Sequence, residues 1–321
     1  MSAQDPEPPE PFPSRPPRPP EPGRAAEWRR AFAEEARSER PDLSRLCLLV
    51  AAQADGELDA AGMDAAQVEL DRLAGELPYR PGGPEAWATA LAELLGGRHG
   101  FRGTSDDYRR LDSSLLHRVL RRRRGLPILL SVVWIEVARR AGAPVYGVAL
   151  PGHFVVGLGP CGEQTGRGGA GPHGPAAAGV APGTDLAGRV LVDPFHGGRL
   201  LTGDDARRIV SRATGGSLDS AMLLPADPLE VVTRILNNIR AWAAARPEHS
   251  AVALWAVELL LLLPSHPARL RQEHAELLVQ RGDYLTGAAE FEAYAEVVAA
   301  VDQPAADALR RRAKAARAML N

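Results

Sequence analysis

Residues 125–154 read GLPILLSVVWIEVARRAGAPVYGVALPGHF. Pro127 sits where proline favours a first helical turn, because its fixed φ suits a helix start and that turn needs no N–H from it. Ile128, Leu129, Leu130, Val132, Val133, Trp134, Ile135, Val137 and Ala138 then leave almost no polar face. A helix apolar nearly all round belongs inside a fold. Arg139 and Arg140 suit the negative end of its dipole, and Gly142 stops it. After Pro144, Val145–Leu150 reads as a buried strand running to Pro151-Gly152-His153, and Phe154–Leu158 continues as a second strand. A core helix followed by a strand that delivers a histidine is a layout suited to catalysis.

Outside this stretch the bulk properties set bounds. The 321 residues are 45% hydrophobic, enough for a sizeable core, and have room for two domains or for one with appendages. A formal net charge of -2 gives no global reason to bind nucleic acid or an acidic membrane. Lys314 is the only lysine among 38 basic residues, which reads with the abundant Ala, Gly and Pro as coding bias. Cys47 and Cys161 are too few for a disulfide scaffold and too far apart for a metal-ligand spacing. The first residues carry no apolar signal-peptide core, and no apolar run reaches bilayer length. The expectation is a soluble, cytoplasmic protein without cofactor.

The flanks read mostly as helix. Residues 1–23 are dominated by Pro, Glu and Arg and are expected to form a disordered tail. Residues 24–98 carry helical spacing: Trp28, Phe32 and Ala36, then Leu43, Leu46, Cys47, Leu49 and Val50, then Val68, Leu70, Leu73 and Leu77, then Trp87, Leu91, Leu94 and Leu95. Cys47 falls on an apolar face and reads as a small buried thiol. Arg121–Arg124 closes a helix that starts near Asp112, and reads as a solvated or ion-paired face. Residues 159–188 change to Gly, Ala and Pro and read as a flexible insertion. Beyond Asp227 five helices are expected, Val231–Ala245, Ala251–Leu263, Ala268–Gln280, Thr286–Val298 and Pro304–Met319, stacked as antiparallel hairpins.

For chemistry, a thiol or hydroxyl nucleophile needs a base within hydrogen-bond reach, and the base needs a third group to fix its tautomer. The chain offers a helix N-terminus at Gly125–Ile128, an imidazole at His153, and a carboxylate at Asp193 closing the short strand Arg189–Val192. No nucleophile is obvious. His153 reads equally as a structural histidine, and Asp193, before Pro194, equally as a turn-forming aspartate.

Several motifs together resemble the core of the transglutaminase-like superfamily, papain-type folds with a Cys–His–Asp triad in that chain order. They are Gly100-Phe101-Arg102-Gly103, Asp107-Tyr108, Leu116-His117-Arg118-Val119-Leu120 with Arg122–Gly125, Leu150-Pro151-Gly152-His153-Phe154, and Val192-Asp193-Pro194-Phe195-His196-Gly197-Gly198. The closer similarity is to the bacterial SirB-type branch, in which that core precedes tetratricopeptide-like helices; Gly282, Tyr284, Ala288 and Phe291 resemble one such unit. The resemblance implies His153 and Asp193 as the triad's imidazole and carboxylate. It places the cysteine near Pro127, 17 residues before Pro144, where no Cys, Ser or Thr stands. Ser131 is the nearest hydroxyl, and Cys161 lies on the wrong side of the histidine in sequence. Arg102 and Tyr108 become cleft-lining candidates, and His117 and His196 could line the same pocket; spacing assigns none of them to a metal.

The expectation is therefore an α+β chain. A transglutaminase-like core at residues 99–221, its buried helix packed on a small antiparallel sheet, is flanked by helices at 24–98 and repeat helices at 222–321. Its expected function is non-catalytic binding of a protein or peptide through cleft and repeats, with no nucleic acid or membrane partner. The alternatives are a hydrolase or transamidase using His153–Asp193 with Ser131 or Cys161, and a plain repeat scaffold.

Overall fold

The computed structural model describes residues 17–77, 82–160 and 188–320. Residues 1–16 of the expected tail, the bulk of the expected insertion, and Cys161 lie outside the described residues. Just inside them the tail reading gives way. The Gly56 N–H donates to the Arg18 carbonyl at 2.7 Å, and helix Pro22–Ala36 (α1) starts with its proline in the first turn. Residues 17–23 are thus tied to the helices they precede.

Leu43–Ala54 (α2) and Ala60–Gly75 (α3) start on Asp42 and Asp59, whose carboxylates accept from Arg45 and Gly62 N–H groups. Such caps supply partners for N–H groups that a helix start leaves orphaned. Pro84–Leu91 (α4) runs on as a π-helical turn over Ala92–Arg98. Leu116–Arg122 (α5) leads to Pro127–Arg140 (α6), in which every residue from Pro127 to Ala138 is buried. That includes Glu136, whose pKa burial pushes up and whose carboxylate pairs with Arg139 at 2.7 Å.

In the arginine run that closes α5, Arg121 is exposed while Arg122 and Arg123 make ion pairs. Arg122 pairs with buried Asp107 at 3.4 Å. Arg123 adopts the left-handed conformation, lies 4.6 Å over the Phe101 ring and pairs with Glu69.

Val145–Val148 (β1), Val155–Leu158 (β2), Val190–Asp193 (β3) and Arg199–Leu201 (β4) form a four-stranded antiparallel sheet in sequence order. Val148 pairs with Val155, Val156 with Val192, and Val192 with Leu200. The first strand stops two residues short of the expected Leu150 because the chain turns there. Gly203–Thr214 (α7) follows, capped by Thr202. Pro228–Ala244 (α8), Ser250–Leu262 (α9), Arg269–Gln280 (α10), Tyr284–Ala299 (α11) and Gln303–Ala318 (α12) complete the chain.

Among the described residues three buried cores hold these elements. The largest joins Phe32, Leu46, Leu70 and Leu95 to Trp134 and Val156, and extends to Ile235 and Trp255, so α8 and α9 pack with the central fold. A second gathers Tyr146, Val148 and Leu191 against Val210 of α7. The sheet is thereby covered by α6 on one face and α7 on the other, as a short sheet with two apolar faces requires. A third core, around Phe291, Leu309 and Ala313, belongs to α10–α12. Cys47 is buried in the largest core, and burial pushes its thiol far up, away from the reactive thiolate. Among the described residues no helix is long and apolar enough to cross a membrane.

Candidate functional site

The site grows from two turns at one end of the sheet. Leu150-Pro151-Gly152-His153 links β1 to β2 as a type II turn. The His153 N–H donates to the Leu150 carbonyl at 3.2 Å, and Gly152, with φ +72°, occupies the position that requires a positive φ. A Cβ there would also meet Ala213 of α7 at 2.9 Å. The turn is fastened on two sides. The buried Ser131 hydroxyl of α6 donates to the Phe154 carbonyl at 3.3 Å. Arg234 of α8 donates to the carbonyls of Leu150 and His153 at 2.7 and 3.0 Å.

The second turn, Pro194–His196, joins β3 to β4. Asp193 Oδ1 accepts from the Phe195 N–H at 3.0 Å, which fixes the carboxylate. Its Oδ2 meets His153 Nε2 at 3.1 Å and His196 Nδ1 at 2.7 Å. One oxygen of a buried carboxylate therefore serves two imidazoles. Burial alone would raise the Asp193 pKa, but the hydrogen bonds and charge of His153 and His196 outweigh it and hold the carboxyl below its ordinary value.

Phe195 forms the wall. Its ring lies 6.3 Å from His153, 5.3 Å from His196 and 6.0 Å from Tyr108, each edge-on. Gly103 makes that approach feasible: its N–H donates to the Phe195 carbonyl at 2.9 Å, and a Cβ would sit 1.9 Å from the ring. Tyr108 is half exposed at the rim, and burial and the Asp193 charge raise its pKa. It also lines a cavity of about 320 Å³ with Leu126, which precedes α6, and with Trp242 and Arg246 of the α8 region.

The sequence candidates thus separate. His153, Asp193, His196 and Tyr108 come together. Arg102 is exposed, and its backbone N–H donates to the Arg123 carbonyl at 3.2 Å. His117 does not line this cleft. Its Nε2 lies 2.9 Å from Asp55 Oδ2, an oxygen that also accepts from Arg118 at 2.6 Å, so it belongs to the contact between α2 and α5. Ser131 is fully buried and spends its hydroxyl on the carbonyl beside His153.

Phe195 and Arg234 are site residues that sequence reasoning missed. Phe195 stood inside a quoted motif with nothing to mark it as a wall. Arg234 lies 81 residues from His153 on an ordinary-looking helix, where no local signal exists.

Chemically, a carboxylate at Nε2 can orient the His153 ring and leave Nδ1 for proton transfer. The same arrangement serves as base and orienter in nucleophilic sites. His153 Nε2, Asp193 Oδ2 and His196 Nδ1 also lie within 4.8 Å of one another, and these three could hold a metal ion.

The comparisons with known proteins concern the core and the helices that follow it. Residues 64–237 match the family model described as transglutaminase-like superfamily, and residues 239–321 match a tetratricopeptide repeat model. A UPF0162 protein of Xylella fastidiosa is 34% identical over 187 residues, covering 57% of this chain and 58% of the relative. A UPF0162 protein of Pseudomonas aeruginosa is 32% identical over 163 residues, covering 49% and 50%. The chain thus spans less than two thirds of the length of these relatives. Among solved structures, one of menin describing its binding site for the Mixed Lineage Leukemia protein aligns over 91% of this chain and 68% of its own. Its TM-score of 0.36 at 13% identity is too weak to bear on fold or partner. The helix that leads into the sheet, the histidine and aspartate at its turns and the family match over more than half the sequence have one reading: the chain belongs to the transglutaminase-like superfamily and carries tetratricopeptide helices after its core.

Proposed function

We propose that this chain is a non-catalytic member of its superfamily that binds a protein or peptide through the cleft beside His153 and Asp193 and through its helical repeats. The observation that carries the reading is the occupancy of the nucleophile's place. The helix start is Leu126-Pro127-Ile128, without thiol or hydroxyl, and the nearest hydroxyl along the sequence, Ser131, is buried and bonded to the Phe154 carbonyl. A base held by its carboxylate with no thiol or hydroxyl beside it has no enzyme nucleophile to activate, so no acyl-enzyme can form. Tyr108, Phe195 and Trp242 offer the aromatic surfaces that recognition sites favour, and tetratricopeptide helices form concave binding surfaces.

Panning a displayed peptide library against the folded protein tests the proposal. Enriched peptides should bind saturably in fluorescence polarisation, and Tyr108→Ala should weaken them about tenfold, a hot-spot loss. The hydrolase reading predicts something else: fluorophosphonate labelling of Ser131, or iodoacetamide labelling of Cys161, that disappears in His153→Ala. That labelling pattern would overturn the non-catalytic reading. Undiminished peptide binding in Tyr108→Ala would remove the cleft from it.

A further inference from the structure

From the two imidazoles gathered on one carboxylate oxygen, we propose that His153, Asp193 and His196 form a binding site for a divalent transition-metal ion of the zinc type. The inference is independent of partner binding and goes beyond it. Three features carry it: the ligand set, its preorganisation and its access.

The ligand set is two imidazole nitrogens and one carboxylate oxygen, all within 4.8 Å of one another. Metal–ligand bonds of about 2.0–2.2 Å need ligand atoms slightly over 3 Å apart, so small rotations of His153 and His196 suffice to receive an ion. Two nitrogens and one oxygen select borderline ions such as Zn²⁺ or Co²⁺ over Mg²⁺ and Ca²⁺, which prefer oxygen.

Preorganisation comes from what holds each ligand. The Asp193 side chain is only 2% exposed and is anchored through Oδ1 by the Phe195 N–H, which leaves Oδ2 aimed at both rings. His153 sits on a turn clamped by Arg234 and Ser131, and its ring packs edge-on against Phe195. His196 follows Phe195 in the turn that also carries Asp193, so two of the three ligands share one rigid backbone segment. Support of this kind around a ligand set strengthens metal binding.

Access comes from His196, whose side chain is 58% exposed while that of His153 is 15% exposed. An ion entering from this side would meet three protein ligands and keep a coordination position open to water or to a group of a bound partner, as three-ligand zinc sites do.

The test is titration of the full chain, free of any affinity tag and stripped with chelator, using Zn²⁺ in calorimetry and Co²⁺ in absorption spectroscopy. One equivalent of Zn²⁺ should bind with micromolar or tighter affinity, and Co²⁺ should give the intense visible bands of a low-coordinate site. His196→Ala and Asp193→Asn should each weaken Zn²⁺ at least tenfold. His196→Asn should do the same while retaining a side-chain N–H for Asp193, so that loss of the ligand is separated from loss of the fold. His266, whose Nδ1 lies 3.1 Å from the Leu263 carbonyl and which is not among the three ligands, is the control: His266→Ala should bind as wild type. Absence of saturable binding, or affinity unchanged in His196→Asn, would overturn the proposal.

Discussion

Arg234 and His153 are joined through the backbone: the guanidinium of one donates to the carbonyl of the other at 3.0 Å and, from the same nitrogen, to Leu150 at 2.7 Å. The imidazole that meets Asp193 therefore stands on a turn closed by a helix far along the chain. The Arg234 guanidinium lies 5.7 Å from the Phe154 ring, and burial depresses its pKa without threatening its charge. A cation on two carbonyls stabilises a turn that has few other fastenings.

Arg234→Met keeps the apolar stem and removes the donor. The His153 carbonyl then loses its Arg234 donor and the Leu150 carbonyl keeps only the His153 N–H, which costs about 1–3 kcal/mol. Chemical denaturation should show that loss, and amide exchange should rise across residues 150–154 while the α6 centre stays protected. Unchanged exchange in the turn would mean that Arg234 is not its clamp.

Gly103→Ala examines the opposite wall. The new Cβ would sit 1.9 Å from the Phe195 ring and 2.8 Å from the Gly125 carbonyl oxygen, two neighbours with little freedom to retreat. Overpacking of this kind costs about 1–3 kcal/mol. Adding Phe195→Ala should recover part of the loss, giving a coupling between the two sites in a double-mutant cycle. Simple additivity would place the Phe195 ring elsewhere in solution.

A pH dependence follows from Asp55, which is buried between His117 and Arg118. Burial works to raise its pKa, but the hydrogen bonds from His117 and Arg118 prevail and hold it at about 2. The folded state thus favours the ionised carboxylate relative to the unfolded chain. Its contribution is complete above the unfolded value, near 4, and is lost as pH falls toward 2. The contribution at neutral pH is about 1–2 kcal/mol after allowing for solvent screening. Asp55→Asn should therefore flatten the acid limb of stability between pH 5 and about 2. Parallel acid limbs in mutant and wild type would assign the pH dependence to other carboxylates.

Much of this architecture was legible in the sequence, for physical reasons that differ by element. The α6 helix declared itself because burial on all sides demands an apolar run, and the last five helices because their turns and periodicity are local. The strands were located, but β1 ended early: its last residues are committed to a type II turn, and Val-Ala-Leu before Pro-Gly does not announce where pairing stops. His153 and Asp193 could be named from motifs, while their 3.1 Å meeting depends on a turn and a strand end converging in space. The role of His196 was hidden because an i,i+3 spacing inside a 3-10 turn gives no direction to a side chain. His117 misled for the converse reason: its neighbours in sequence resemble the family core, yet its partner is Asp55, 62 residues earlier.

The last helices permit a test of how the chain divides energetically. Phe291 is buried in the core of α10–α12, with the Arg312 guanidinium 4.7 Å from its ring, while Leu270 at the start of α10 belongs to the largest core. α10 is therefore the seam, and disturbance beyond it should stay local. Phe291→Ala removes a large buried ring and should cost about 3–5 kcal/mol. If the C-terminal core is a separate cooperative unit, amide exchange should accelerate in α11 and α12, leaving α6 and α8 at wild-type protection. Calorimetry should then resolve an early transition ahead of the main one. Equal acceleration in α6 would show one cooperative unit from Phe32 to Leu309, with the tetratricopeptide helices stabilising the cleft from a distance.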